Sequence, residues 1–292
     1  MRFIDSSYEI IEQAPGLIGV YKQIEKAART AYKSEDKITE GSAQKMVEAL
    51  CKLNHGAALE HGTIYLKITF DMSAIGSYHH SGIDKYVNNP YSKVIFDDGC
   101  DFRTAYITTN ARVIFENEWE DDLQYMCEPT EFHEKRITVK FITSIGIVRE
   151  IIRHRKFSFL NESTRYCNYS KDKFGNELTF IIPEWTKKIT NDFDGAYHFW
   201  KDSLKQLEWN YTLLTNECGL KAEEARGILP LDLKSELVVT GFVEDWIHFF
   251  RLRSHIAATG KSHPDIQKLA DGLIQDFIDR DYCTYEQITE GV

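Results

Sequence analysis

Apolar residues recur along this chain with two periods, and the change from one to the other predicts which segments are helices and which are strands. Residues 18–33, IGVYKQIEKAARTAYK, predict a helix with Ile24, Ala27 and Ala28 inward. Ala43, Met46, Val47, Leu50 and Leu53 keep the 3.6-residue period of a second helix, with Ser42 as its expected N-cap and Asn54-His55-Gly56 as its stop. Ile64–Phe70 alternates with period two, as a half-buried strand does, and Arg136–Ile142 repeats that pattern. Short strands are expected at Leu178–Ile182, ended by Pro183, and at Glu236–Phe242. Thr143 to about Arg155 predicts a helix that buries Ile147, Val148, Ile151 and Ile152 and puts Arg149 and Arg153 on another face. Over 193–218, Tyr197, Trp200, Leu204, Leu207, Tyr211 and Leu214 form an a/d seam, stopped by Gly219. Further helices are expected over Lys221–Ile228, over Val243–Ser254 and from Pro264 as N1 onward.

Between residues 71 and 135 the periodicity loosens, apart from a short strand expected at Phe102–Thr108. The segment is too poor in regular apolar spacing for a core of its own, so it reads as an insertion into a sheet. No repeat, linker or low-complexity run divides the chain. The expectation is therefore one α+β domain over 1–292, with a mixed or antiparallel sheet packed by helices.

Composition narrows the function classes. The chain is 42% hydrophobic and 27% charged over 292 residues, an ordinary globular make-up with material for a sizeable core. A formal charge of -10 argues against general nucleic-acid or anionic-membrane binding, so any anion site has to be local. No apolar run is long enough to span a membrane, and MRFIDSSYEI carries no secretory h-region. The six cysteines (51, 100, 127, 167, 218 and 283) show no CxxC, which predicts reduced thiols and a cytoplasmic location.

Candidate chemistry gathers in Ile151–Ser170, IIRHRKFSFLNESTRYCNYS. Arg153, His154 and Arg155 follow an apolar helical pattern, and Ser163, Arg165 and Tyr166 come soon after. Arginine suits phosphate because its planar fork donates two parallel hydrogen bonds. A bare triplet of this kind also suits a solvated helix end. Three other places stand out: His55 with Glu60-His61, Arg226 before Leu229-Pro230, and His248 with Arg253 in an aromatic helix. Each has a plain alternative, such as Arg226 pairing with Glu223. His55 with His61, or His79 with His80, could be imagined as metal ligands, but neither has metal-site spacing, so no metal is expected. Neither GxGxxG, GxxxxGK[ST] nor GxSxG occurs, which argues against Rossmann, P-loop and α/β-hydrolase chemistry.

Arg153-His154-Arg155, seven residues, then Ser163 is similar to the RHRx7S signature of flavin-dependent thymidylate synthases, and the likeness runs on through Arg165-Tyr166. Ala28-Arg29, His55 with Glu60-His61, Arg226-x-x-Leu229-Pro230 and Leu252-Arg253 fall in that family's order. The resemblance implies reductive methylation of dUMP to dTMP. Methylenetetrahydrofolate would be the carbon donor, reduced FAD the hydride donor and NADPH the reductant of the flavin. It implies a homotetramer with active sites shared between subunits, and 71–135 as a family-variable insertion. By motif position, His55, Arg153, His154, Arg155, Asn161 and His248 would line the FAD site. Glu150, Ser163, Thr164, Arg165, Arg226 and Arg253 would line the dUMP site. Arg165 and Arg226 would take the phosphate and Arg253 a pyrimidine carbonyl, which makes Arg253 and Ser163 the candidates for catalysis. Ser163 has no adjacent base, so it reads chiefly as a nucleotide ligand. Asn161, Glu150, Ala31 and Ala57 depart from the commonest family residues. The alternatives are a flavoprotein of the same fold acting on another nucleotide, and a non-enzymatic RNA- or nucleotide-binding protein.

Overall fold

Lys234–Phe242 is buried at every position after its first, so this strand needs cover on both faces. A computed structural model describes residues 1–71, 82–98, 102–189, 195–256 and 260–290 and shows what supplies that cover. The described strands are β1 (Arg2–Ile4), β2 (Ser7–Ile11), β3 (Thr63–Asp71), β4 (Lys93–Asp98), β5 (Phe102–Asn110), β6 (Arg136–Ser144), β7 (Ser158–Asn161), β8 (Thr179–Ile181) and β9 (Lys234–Phe242). The described helices are α1 (Gly16–Tyr32), α2 (Ser42–Lys52), α3 (Gly56–Leu59), α4 (Asp84–Val87), α5 (Ala111–Glu116), α6 (Ile145–Ile151), α7 (Gly195–Thr212), α8 (Ala222–Ala225), α9 (Val243–Arg253), α10 (Pro264–Asp279) and α11 (Tyr285–Thr289). The strands form an antiparallel sheet β2-β6-β9-β7, a second antiparallel sheet β3-β5-β4, and a parallel pair β1-β8. This is the expected α+β class.

Period-two alternation divides the main sheet into a dry face and a polar one. Ile137, Val139 and Phe141 of β6 and Leu237 and Val239 of β9 pack with Trp246 and Phe249 of α9 and Leu273 and Phe277 of α10. Trp246 is fully buried, and its indole N–H donates to the Ile137 carbonyl at 3.2 Å, which satisfies its one polar atom. On the opposite face, Thr138 and Thr240 share a 2.8 Å hydroxyl contact, and the His61 Nδ1 meets the Thr240 hydroxyl at 2.8 Å. The segment with the loose pattern contributes Ile83, Tyr86, Ala105, Ile107 and Ile114 to a core shared with Val20, Ile24, Val47 and Ile64. A third cluster joins β8 to α7 through Phe180, Leu204 and Tyr211.

Several boundaries differ from expectation. The helix expected from Thr143 starts at Ile145, because Thr143 and Ser144 pair with Ser235 and Lys234 in the β6–β9 ladder. It stops at Ile151, so Arg149 and Arg153 do not share a helical face. Gly41, at φ 74°, occupies the N-cap of α2 in place of Ser42, whose hydroxyl instead donates to Glu25 at 2.9 Å. Leu53 ends 63% exposed, since Asn54 turns the chain with a left-handed φ of 53°. The long seam helix breaks into α7 and a π turn at Leu213–Glu217, and of its seam residues Leu204 and Tyr211 are buried. Residues 193 and 194 of that expectation lie outside the described residues. No described helix is long and apolar enough to cross a membrane.

A buried ionic network ties the layers together. Glu236 of β9 meets Lys33 just past α1 at 2.8 Å and Lys234 at 2.6 Å, and Lys140 of β6 also binds it. Lys234 bridges at 2.7 Å to Glu162, whose carboxylate is fully buried and accepts from the Tyr169 hydroxyl at 2.9 Å. Burial pushes the Glu236 carboxyl up, but the three lysines outweigh it and bring the group down to about 2. The folded form thus prefers the carboxylate, and its stabilisation is present above the ordinary value of 4.5 and lost as pH falls toward 2. The expected outcome is that wild type exceeds Glu236→Gln in unfolding free energy by about 3 kcal/mol near neutral pH. The gap should close between pH 5 and 2, as read by denaturant melts. A gap that stays constant across that range would remove Glu236 as the linked group.

Candidate functional site

The arginine-rich turn is fixed from both ends. The Ser144 side chain caps α6, and past Ile151 the chain reverses through amide contacts from His154 to the Ile151 carbonyl and from Phe157 to the His154 carbonyl, both 3.1 Å. The Phe157 ring then lies directly on the backbone of Gly241 in β9, where an added Cβ would come within 2.1 Å of it. Its other side packs 4.5 Å from the Trp246 ring. Glycine inside a strand thus permits a close approach, and the turn that carries Arg153, His154 and Arg155 is pinned to the core.

Helix α9 brings His248 and Arg253 to this turn. The Arg253 Nε donates to His154 Nε2 at 3.1 Å, its Nη1 to a Glu150 carboxylate oxygen at 3.0 Å and its Nη2 to the Glu150 carbonyl at 3.3 Å. A guanidinium only donates, so His154 Nε2 must be the unprotonated nitrogen and Nδ1 the protonated one. Burial, with Arg253, His248 and Arg153 adding to it, pushes His154 down to about 4, which agrees with a neutral ring. The His248 ring stands 6.2 Å from that of His154. Arg153, His154, Arg155, His248 and Arg253 line one open cleft of about 500 Å³. Arg153 and Arg155 are exposed, and no carboxylate lies within 4.0 Å of either among the described residues.

Other expected residues form a second group after β7. Asn161 is exposed and donates to the Glu162 carbonyl at 3.3 Å. The Ser163 amide donates to the Ala31 carbonyl at 3.0 Å, and its hydroxyl accepts from the Arg165 amide at 3.3 Å. No imidazole or carboxylate hydrogen-bonds the Ser163 hydroxyl among the described residues, so nothing there activates it as a nucleophile. Arg226 Nη1 reaches the Thr164 hydroxyl at 3.5 Å. It is Arg165, not Arg226, that pairs with Glu223, at 3.2 Å. Cys167 is buried, and burial with Glu162 nearby pushes its thiol up to about 12, so it is no thiolate nucleophile.

No hydrogen bond or ion pair joins the two groups among the described residues, and His55 belongs to neither. His55 is exposed at the N-cap of α3. His61 is fully buried, and burial with Arg136 beside it pushes the ring down to about 3. The two histidines therefore occupy opposite environments. Among the described residues no cluster of His, Cys, Asp or Glu fits a metal ion, and His79, His80 and Cys100 lie outside them. Tyr32 was not distinguishable in the sequence; its ring lies 4.9 Å from that of Tyr166, beside Arg165. The contact of neighbouring Ala31 with Ser163 likewise shows that the end of α1 borders this group.

Comparisons with known proteins bear on both groups. Residues 122–280 match the family model described as thymidylate synthase complementing protein. A flavin-dependent thymidylate synthase of Synechocystis sp. is 31% identical over 134 residues, 44% of this chain and 61% of that protein. One of Pyrococcus furiosus is 30% identical over 132 residues, 45% of this chain and 50% of that protein. The chain thus spans less than two thirds of the length of these relatives. Among solved structures, a UMP/dUMP methylase, PolB from Streptomyces cacaoi bound with 5-Br dUMP, is similar at 18% identity and TM-score 0.44, over 96% of this chain and 93% of that one. Thymidylate Synthase X from Helicobacter pylori with FAD and dUMP is similar at 15% identity and TM-score 0.42, over 98% and 99%. The family match takes in the arginine turn, Ser163 to Arg165, Arg226 and Arg253, and by it the chain belongs to the thymidylate synthase complementing protein family.

Proposed function

We propose that this protein is a flavin-dependent thymidylate synthase, converting dUMP to dTMP with methylenetetrahydrofolate as carbon donor, reduced FAD as hydride donor and NADPH restoring the flavin. The observation that carries the reading is Arg253, held by Glu150 and His154 at the edge of an open, cation-lined cleft. Carbon transfer to C5 of a uracil ring draws negative charge onto its carbonyl oxygens. A guanidinium already fixed in place stabilises that charge without reorganising. Glu150 holds the Arg253 fork, and neutral His154 holds its Nε, so neither needs to move a proton for Arg253 to act.

The residues suit FAD. Arg153 and Arg155 lie exposed at the turn, as a diphosphate requires, while the neutral His154 ring and the His248 ring offer flat faces. When bound, the flavin supplies the hydride chemistry, and the chain's task is to align ring systems and exclude water. Arg165 and Arg226 flank Thr164 and suit the dUMP phosphate. The Arg165–Glu223 pair is exposed, so opening it costs at most about 1 kcal/mol, less than a charged hydrogen bond to phosphate returns. Ser163 serves as a nucleotide ligand. That no hydrogen bond or ion pair joins the two groups among the described residues, with His55 apart from both, favours a site completed between subunits of a homotetramer. The same reading takes the chain as one cytoplasmic synthase domain, with 71–135 as a family-variable insertion.

Titration of the purified protein with FAD should give a saturable absorbance or fluorescence change near one equivalent per chain. No saturable change would sink the flavin assignment. With FAD and NADPH present, dUMP and methylenetetrahydrofolate deuterated in its transferable methylene should yield labelled dTMP; labelled product from another nucleotide alone would favour a different flavoenzyme of the same fold.

Arg226→Lys keeps the charge and loses the bidentate fork. It should raise the dUMP dissociation constant roughly 10- to 150-fold, the equivalent of one charge-assisted hydrogen bond. FAD content should stay unchanged. Calorimetry against deoxyuridine is the control, and unchanged discrimination between the two ligands would take Arg226 out of the site.

A further inference from the structure

Tyr32, the last residue of α1, and Tyr166 belong to none of the three core clusters among the described residues and stand 50% and 55% exposed. Their rings lean on each other, with centroids 4.9 Å apart and planes tilted by 35°. One exposed ring is ordinary on a protein surface. Two rings held against each other beside a guanidinium make a support.

Both rings are held from their flanks. On one side of Tyr32 the Ala31 carbonyl accepts the Ser163 amide at 3.0 Å. On the other, Lys33 turns the chain at φ 48° and reaches the buried Glu236 carboxylate at 2.8 Å. Tyr166 is fixed in the same way, because its own amide and that of buried Cys167 both donate to the Ser163 carbonyl, at 3.1 and 3.0 Å.

Arg165 rests on this pair. Its guanidinium carbon lies over the Tyr166 ring, 5.3 Å from the centroid, and one Nη donates to Glu223 at 3.2 Å. The two contacts differ in what they use. The carboxylate takes an N–H, whereas attraction to the ring face uses the charge and leaves every N–H free. A phosphate that displaces Glu223 therefore takes over the donors while the ring contact persists. A long side chain oriented beforehand also loses less rotamer freedom on binding.

We propose that Tyr32 is a positioning residue for nucleotide phosphate: its ring backs Tyr166, Tyr166 backs Arg165, and the guanidinium stays aimed once Glu223 yields. This role rests on the reading of Arg165 as a phosphate ligand. It requires the aromatic ring of residue 32 and not its hydroxyl.

The test is a double-mutant cycle on the full chain with FAD added, titrated calorimetrically with dUMP and deoxyuridine. Tyr32→Leu keeps apolar bulk and loses the ring. It should weaken dUMP about three- to tenfold, with deoxyuridine affinity, FAD content and melting temperature unchanged. Tyr32→Phe should bind dUMP as wild type does. Arg165→Met removes the guanidinium, and in that background Tyr32→Leu should cost nothing further. A general disturbance of the fold would instead weaken both ligands and add to the effect of Arg165→Met. Formation of dTMP is followed separately, and pyrophosphate is the probe if dUMP does not bind. The expected coupling without any dTMP would sink the synthase reading and leave the role of Tyr32 standing. Wild type that binds neither dUMP nor pyrophosphate, unchanged affinity in Tyr32→Leu, or additive losses in the double variant would overturn that role.

Discussion

Two buried carboxylates hold this architecture to one arrangement. Glu236 and Glu162 share Lys234, while Lys33 and Lys140 complete the set, so a helix end, two neighbouring strands and the segment after β7 meet at one ionic centre. Such networks add little net stability over an apolar core of equal volume, because every ion is desolvated. Their consequence is directional. A hydrophobic contact tolerates sliding, whereas a carboxylate held between lysines and a tyrosine hydroxyl does not. Glu162 immediately precedes Ser163, and its amide donates to the Glu236 carbonyl at 2.8 Å. The orientation of the centre is thereby passed to the Ser163 segment.

The other end of β9 performs a similar service by packing. Thr240 holds Thr138 and His61 on the polar face, and one residue later Gly241 lets the Phe157 ring settle on the backbone. One strand therefore anchors the Ser163 segment by charge near Glu236 and the arginine turn by close approach at Gly241. The two candidate groups are separate in their contacts but share this support.

Much of this was legible in the sequence, for reasons tied to particular residues. The strands at Ile64–Phe70 and Arg136–Ile142 and the α10 helix were visible because each buries one face, which period reveals. Arg2–Ile4 and Ser158–Asn161 were not, since three or four residues hold few alternations and neither has a stop such as Pro183, which marked the equally short β8. The early start expected for α6 failed because Thr143 and Ser144 satisfy a ladder that local spacing cannot see. At the site, the arginines were recognisable by motif, and the link from Arg253 to Glu150 was not, because it joins residues 103 apart. The lysine network was equally hidden: nothing in local spacing marks Lys33, Lys140 and Lys234 until the fold collects them.

What the fold finally distinguishes is partnered arginine from unpartnered. Arg29 is tied to Glu25 and Arg112 to Glu60, which makes them parts of the scaffold. Arg253 is an intermediate case, fixed by Glu150 and His154 yet lining a cleft, so its charge is oriented without being sequestered. Arg153, Arg155 and Arg136 have no carboxylate within 4.0 Å among the described residues. In a chain of net charge -10, leaving cations unpaired is not for want of acidic residues. Acidic side chains do stand nearby, and each is already engaged by another cation: Glu60 by Arg112, Glu244 by Lys93 and Asp245 by Lys156. The arrangement keeps local carboxylates beyond ion-pair distance of these guanidinium groups, although Glu60 and Asp245 still act on Arg136 through space.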